Sequence, residues 1–107
     1  MTATTEGLMC RYFELAADPD TAAYFAQFAD DATVEDEGKE RHGIEAIRAW
    51  RSEVPLVSYT VLGIQPGDGG WDATVDIAGD FPGSPVCLTF RFEFDERERI
   101  RTLTIRP

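Results

Sequence analysis

The spacing of apolar residues changes at Pro55, and this change restricts the fold more than any other feature of the sequence. Before Pro55 the apolar residues recur at helical spacing, and after it they alternate with polar residues. The pattern therefore predicts helices in the first half and strands in the second half. That order is typical of an α+β fold rather than of alternating α/β units. The chain has 107 residues, which suits one domain spanning residues 1–107.

The first half predicts three helices around one short strand. The helices are expected from Glu6 to Ala17, from Thr21 to Ala29, and from Gly43 to just before Pro55. Asp18-Pro19-Asp20 should end the first helix, because a residue before proline avoids the α conformation. Asp20 or Thr21 would then cap the second helix. A short strand near Thr33–Glu35 and a polar turn over Glu37–Glu40 precede the third.

The second half predicts four antiparallel strands. They are expected from Leu56 to Gln65, from Trp71 to Ile77, from Val86 to Phe94 and from Arg99 to Ile105. A hairpin turn over Pro66–Gly70 connects the first two, because its glycines accept positive φ. So few strands make a bent sheet that cannot close into a barrel, so the helices must cover its open side. We therefore expect a cone with an apolar cavity at its wide end.

Charge and composition exclude several classes of function. The formal net charge is −10, so nucleic acid and anionic membrane surfaces are poor partners. The N-terminal residues do not resemble a secretory signal. Cys10 and Cys87 are predicted to be buried, reduced thiols of a cytoplasmic protein. His42 is the chain's one histidine, which excludes a multi-histidine metal site. A site made only of carboxylates stays possible, but no EF-hand-like spacing supports one, and we expect no cofactor or metal.

Four segments resemble a known superfamily. They are Arg11-Tyr12, the run from Phe28 to Asp36, the run from Arg41 to Trp50, and Phe90-Arg91-Phe92. Together they are similar to the bacterial ketosteroid isomerases and, more broadly, to nuclear transport factor 2-like and SnoaL-like polyketide cyclase proteins. The resemblance implies a cystatin-like cone: three N-terminal helices on a strongly curved, mixed, mostly antiparallel sheet with an internal pocket. It also implies a homodimer through the outer sheet face, where we expect Cys87, Thr89 and Val57.

The resemblance assigns roles to two residues. Asp36 would be the general base that moves a proton between carbons, and Tyr12 would donate a hydrogen bond to the developing oxyanion. The pocket would hold an apolar small molecule. Residues expected to bind it are Phe25, Phe28, Trp50, Phe90 and Phe92, with His42 at the rim. Phe90 stands where the isomerases place a second acid, so one oxyanion donor of the steroid isomerases is missing.

The residues leave other interpretations open. Asp36 is also compatible with an ordinary turn, Tyr12 with a core tyrosine, and His42 with a surface position near a helix start. An acid–base isomerase, cyclase or dehydratase is the leading hypothesis. A non-catalytic ligand-binding module is the second. A cone with a filled pocket that only mediates dimerisation is the third.

Overall fold

In a computed structural model, three helices pack against one six-stranded sheet. The structure describes residues 4–18, 21–55, 57–67 and 69–107. Pro19 and Asp20, at the predicted end of the first helix and cap of the second, Leu56, the predicted start of a strand, and Asp68, in the predicted hairpin turn, lie outside the described residues. The elements, in chain order, are α1 Thr5–Ala16, α2 Ala22–Ala26, β1 Phe28–Asp36, β2 Lys39–His42, α3 Ile44–Glu53, β3 Ser58–Gly67, β4 Gly70–Ala78, β5 Val86–Phe94 and β6 Ile100–Arg106.

The sheet is mixed and open. Its strand order is β2-β1-β6-β5-β4-β3, and the terminal strands β2 and β3 are not neighbours. β1 and β6 pair in parallel, whereas the other neighbours are antiparallel. Register shifts in β1, β3 and the β5–β6 pair bend the sheet. The predicted α+β cone with a mixed, mostly antiparallel sheet is confirmed.

The second helix and the first strand differ from the prediction. α2 ends at Ala26, and the chain enters β1 at Phe28, so Phe28 and Ala29 are strand residues and not helical ones. Local apolar spacing does not distinguish a short helix from a buried strand. As a strand residue, Phe28 pairs with Ile100 of β6 in the sheet, a pairing that a helical residue could not make.

The predicted polar turn over Glu37–Glu40 is shorter than expected. Glu37 and Gly38 have φ values of 55° and 77°, which is the backbone of a two-residue hairpin connection. Lys39 then begins β2, and Asp36 pairs with Lys39 across the hairpin. Gly43 follows β2 at a φ of 85°, a value that L side chains rarely adopt, and its amide donates to Ala32 O at 2.8 Å.

Aromatic side chains fill one end of the cone. Tyr12 of α1 has ring centroids of Phe13, Tyr24, Phe28, Phe90 and Phe92 within 6.4 Å. At the other end β1 and β6 finish while β5 begins, because β5 pairs with β6 in antiparallel. The helices leave this second end less filled, and the candidate site lies there.

Both cysteines are exposed, so the prediction that they are buried is wrong. The buried stripe of α1 consists of Met9, Tyr12, Phe13 and Ala16, which leaves Cys10 toward solvent. Cys87 alternates with inward Val86 and Leu88 on β5 and lies on the outer face.

Among the described residues, no helix is long and apolar enough to cross a membrane.

Candidate active site

A cavity of about 460 Å³ opens at the end of the cone where β1 and β6 finish. Its deep wall is formed by Tyr12, Trp50 and Phe90, each no more than 3% exposed. Exposed residues surround its mouth, among them Pro55, Pro82 and Pro107. The remaining wall is mainly aliphatic, with Val54, Val57, Ile77, Val86, Leu88 and Ile105. Such a wall is suited to an apolar ligand held by a few polar groups.

Asp36 brings a carboxylate to this wall. It is the last residue of β1, is half-buried, and lies opposite Ile105 of β6. Trp50 Nε1 donates a hydrogen bond to Asp36 Oδ2 at 3.0 Å. Trp50 is buried on α3, so its indole fixes the direction of the carboxylate from inside the fold. Asp36 is therefore held by a side chain rather than by the turn that follows it.

Tyr12 brings a phenol to the deep wall. Its hydroxyl lies 2.9 Å from the Tyr24 hydroxyl, and both rings are buried. Burial, together with Tyr24 and Tyr59, raises the pKa of Tyr12 well above its usual range. Burial also raises the pKa of Tyr24 to about 12. Both phenols are protonated at neutral pH, so Tyr12 is a neutral hydrogen-bond donor.

Arg51 contributes a cation to the same wall. It follows Trp50 on α3 and is half-buried. Its Nη2 donates to Ala16 O at 2.7 Å, and its Nη1 donates to the Tyr59 hydroxyl at 3.4 Å. Its guanidinium carbon lies 4.6 Å from the centroid of the Tyr24 ring. The tyrosines and the arginine thus form one polar group beside the otherwise apolar cavity.

Phe90 lines the cavity at the position that the resemblance gives to a second acid. Its ring centroid is 6.3 Å from that of Tyr12. Among the described residues, the acidic side chains of the cavity wall are Asp36 and, at the mouth, Glu37. The wall therefore offers a carboxylate and a phenol but no second carboxylic acid near the phenol.

Four residues expected at the pocket lie elsewhere. Phe25, Phe28 and Phe92 are buried in the filled end of the cone and do not line the cavity. Phe92 pairs with Leu103, two residues along β6 from the Ile105 level of the cavity. His42 lies on the edge strand β2, has a side chain 68% exposed, and bonds Thr33 Oγ1 at 3.0 Å. Val57 lines the cavity rather than the outer sheet face.

The residues missed from the sequence are Arg51, Tyr24 and Tyr59. A signal for Arg51 exists, because it lies four residues after Ile47 and three before Val54, on the inward stripe of α3. Tyr59 alternates with Val61 on β3 and with Val57 just before it, and all three side chains pack against the core. Tyr24 has no comparable signal, since α2 is too short to define a stripe.

Within the described part of the chain, no cluster of His, Cys, Asp and Glu is arranged to hold a metal ion.

Comparisons with known proteins show what this arrangement is similar to. No protein-family model matches the sequence, and no curated protein matches it. A candidate polyketide cyclase from Sinorhizobium meliloti is 32% identical, with a TM-score of 0.82 over 97% of this chain and 100% of that chain. A nuclear transport factor 2-like protein of unknown function from Cytophaga hutchinsonii is 14% identical, with a TM-score of 0.80 over 98% of this chain and 90% of that chain. At that lower identity the second likeness concerns the fold alone.

Proposed function

The chain belongs to the same family as the candidate polyketide cyclase from Sinorhizobium meliloti and has the nuclear transport factor 2-like fold, and we propose on that premise that it is an acid–base enzyme acting on an apolar carbonyl compound. The reaction would be an isomerisation, cyclisation or dehydration that needs no cofactor. One observation carries the proposal: the Asp36 carboxylate and the Tyr12 phenol line the same cavity, whose wall is otherwise largely apolar. A candidate polyketide cyclase as a relative over the whole chain supports the same class of chemistry.

In this proposal Asp36 is the base. Its carboxylate would remove a proton from a carbon next to the substrate carbonyl. It would return the proton to another carbon in an isomerisation, to the alkoxide oxygen formed by ring closure in a cyclisation, or to the leaving hydroxide in a dehydration. The bond from Trp50 Nε1 to Oδ2 leaves Oδ1 as the oxygen that faces the substrate. Fixing one oxygen directs the other, and a positioned base contributes more to the rate than a freely rotating one.

Tyr12 is the oxyanion donor. One of the two phenols must donate to the other, and the proton of the acceptor is then free. Tyr12 is the member of the pair that lines the cavity, so donation from Tyr24 to Tyr12 directs the free proton toward the substrate oxygen. A hydrogen-bonded chain of this kind polarises its last donor and strengthens the bond it makes.

The test uses the exchange of a carbon-bound proton, because it reports the proposed step without knowledge of the natural substrate. The probe is 2-tetralone, a bicyclic ketone, and its incorporation of deuterium from D₂O is followed by NMR. Asp36→Asn should lower the exchange rate by about 10²–10⁴-fold while the ketone still binds. Asp31→Asn is the matched control, since Asp31 lies exposed on the same strand. Equal exchange by wild type and Asp36→Asn would refute the proposal.

A non-catalytic binding module is the second candidate. The observation that favours it is Phe90, an apolar residue where the isomerases place an acid. Binding of the ketone without Asp36-dependent exchange would support this alternative.

The proposed compartment for either function is the cytoplasm. Cys10 and Cys87 are free, exposed thiols, and a reducing compartment would keep them reduced.

The homodimer is part of the same proposal. Cys87 lies exposed on the outer sheet face, which also carries Thr89 and the Asp72–Arg91 ion pair. A second copy could cover this face without blocking the cavity, which opens at one end of the cone. Sedimentation velocity at micromolar concentration tests it, and a monomer there would exclude it.

A further inference from the structure

Among the residues that the structure describes, Arg51 is a cavity cation without a counter-ion. In the described part of the chain, ion pairs involve Arg41, Arg91, Arg99, Arg101 and Arg106, and none involves Arg51. Acidic residues are not scarce, because the chain has 20 of them against 10 basic residues. Its hydrogen bonds and its contact with the Tyr24 ring are all to neutral groups, and a half-buried charge without an opposite charge beside it is costly to the fold. Its retention on a cavity wall therefore points to a partner that arrives with the ligand.

The other charged residues of the wall do not compete for that partner. Arg106, at the mouth, is bound to Glu35 at 2.9 Å. Asp36 and Glu37 are acidic and repel an anion. Arg51 is then the group toward which an acidic ligand is drawn, and the low-dielectric wall strengthens the attraction.

Hydrogen-bond donors remain for such a ligand. A guanidinium has five N–H donors. The bonds of Arg51 to Ala16 O and to the Tyr59 hydroxyl use one donor from each terminal nitrogen. Because Arg51 is only a donor, the Tyr59 oxygen is the acceptor in their contact, and the Tyr59 proton is free to bind something else. Tyr59 also lines the cavity, so two adjacent donors face one ligand group.

We infer that the ligand of this cavity carries a carboxylate beside its apolar carbonyl skeleton, and that Arg51, assisted by Tyr59, binds this carboxylate. The inference rests on the proposed function, since it names the substrate class of the same cavity. The carboxylate would turn toward Arg51 and away from Asp36, which would leave a neutral C–H bond facing the base. Arg51 is therefore a specificity-determining residue rather than the base or the oxyanion donor.

Arg51 also has a structural role that the test must separate. α1 has no basic residue in its last turn, and Arg51 of α3 donates a hydrogen bond to its Ala16 carbonyl. Loss of that contact would lower stability without any effect on ligand choice. The readout must therefore be a ratio of affinities, which a purely structural role leaves unchanged.

The probes are 2-naphthoate and 2-naphthamide, which share one skeleton and differ in charge, titrated at pH 7 by calorimetry. Wild type should bind naphthoate about 10- to 100-fold more tightly than naphthamide, the range expected of hydrogen bonds to a charged group. Arg51→Met should abolish that preference by weakening naphthoate binding alone. Arg48→Met is the matched control, because Arg48 lies on the same helix with its guanidinium over Phe25, outside the cavity wall.

Two further variants keep the test decisive if Arg51→Met does not fold. Arg51→Lys retains the charge but loses the planar pair of donors, so the preference should shrink without disappearing. Tyr59→Phe retains Arg51 and should also reduce the preference. Equal binding of the two probes by wild type, failure of both to bind, or an unchanged ratio in these variants would overturn the inference.

The outcome separates this inference from the proposed function. If wild type shows no preference for naphthoate but exchanges 2-tetralone in an Asp36-dependent way, the inference of a carboxylate ligand is wrong and the proposed enzymatic activity is supported. If an Arg51-dependent preference occurs without exchange, the carboxylate site is supported and the proposed enzymatic activity is wrong.

Discussion

Alkaline pH should destabilise this protein through the buried phenol pair of Tyr12 and Tyr24. The perturbation is a rise in pH through the range where a tyrosine in the unfolded chain ionises. Burial raises the pKa of Tyr24 from 10.0 to about 12 and raises the pKa of Tyr12 well above its usual range. Between those values the unfolded chain releases the proton while the folded chain retains it. The unfolded state then binds fewer protons, so the free energy of unfolding falls as pH rises.

The magnitude follows from the shift of Tyr24 alone. Each pKa unit corresponds to about 1.4 kcal/mol, so this tyrosine contributes full stability below pH 10. We expect a loss of about 1 kcal/mol at pH 11, approaching about 3 kcal/mol above pH 12. Tyr12 is shifted in the same direction and adds to the loss. For a chain of this size such a loss is a large part of the total stability.

Urea unfolding followed by circular dichroism at pH 8, 10 and 11 measures the effect. The chain has three tyrosines, so tyrosinate absorbance reports few groups and should rise together with the loss of tertiary structure. Tyr24→Phe should make the alkaline loss smaller without removing it, because the loss from Tyr12 remains, whatever the effect of the substitution on stability at pH 8. Tyr59→Phe is the control and should keep the alkaline loss. If Tyr24→Phe loses stability with pH as steeply as wild type, the reasoning from burial is wrong.

Two further predictions concern the base and the core. Trp50→Phe removes the donor to Asp36 Oδ2 and should slow 2-tetralone exchange by about 10-fold or more, with ketone binding retained; an unchanged exchange rate would mean that the indole does not position the base. Phe92→Ala empties a site with 0% exposure and should cost about 3–5 kcal/mol in urea unfolding. Leu62→Ala, at a residue 57% exposed, should change stability by less than about 0.5 kcal/mol. Similar losses in these two variants would contradict the assigned core.

Much of the fold could be predicted, because burying one face of a long helix or strand makes apolar residues recur at a regular spacing in the sequence. Ala73, Val75 and Ile77 of β4 are buried in the predicted alternation, and Ile47 and Trp50 are buried on α3. Strand β2 was missed because it lies at the sheet edge, where its Lys-Glu-Arg-His sequence meets solvent and shows no apolar alternation. Its pairing is fixed by the turn at Glu37 and Gly38 instead.

The candidate site could be predicted only in part. Tyr12, Asp36, Trp50 and Phe90 line one cavity. Phe92 was expected there because it shares a face of β5 with Phe90. A face, however, runs through both the filled and the open ends of a cone, and only tertiary structure decides which residues meet the opening. Arg51 was missed for a related reason: a charged residue in an amphipathic helix is ordinarily assigned to solvent.

The adjacent residues Trp50 and Arg51 place opposite charges on two walls of the cavity. Neighbouring side chains on a helix point about 100° apart, so α3 can reach two walls at once. Trp50 holds the Asp36 carboxylate at the end of β1, and Arg51 holds a cation beside Tyr59 of β3. A ligand with one acidic end is therefore attracted at one wall and repelled at the other. Apolar contacts with the aliphatic wall do not fix which way a ligand points in the cavity. The two charges would fix that orientation and would bring the reacting carbon of the ligand to Asp36.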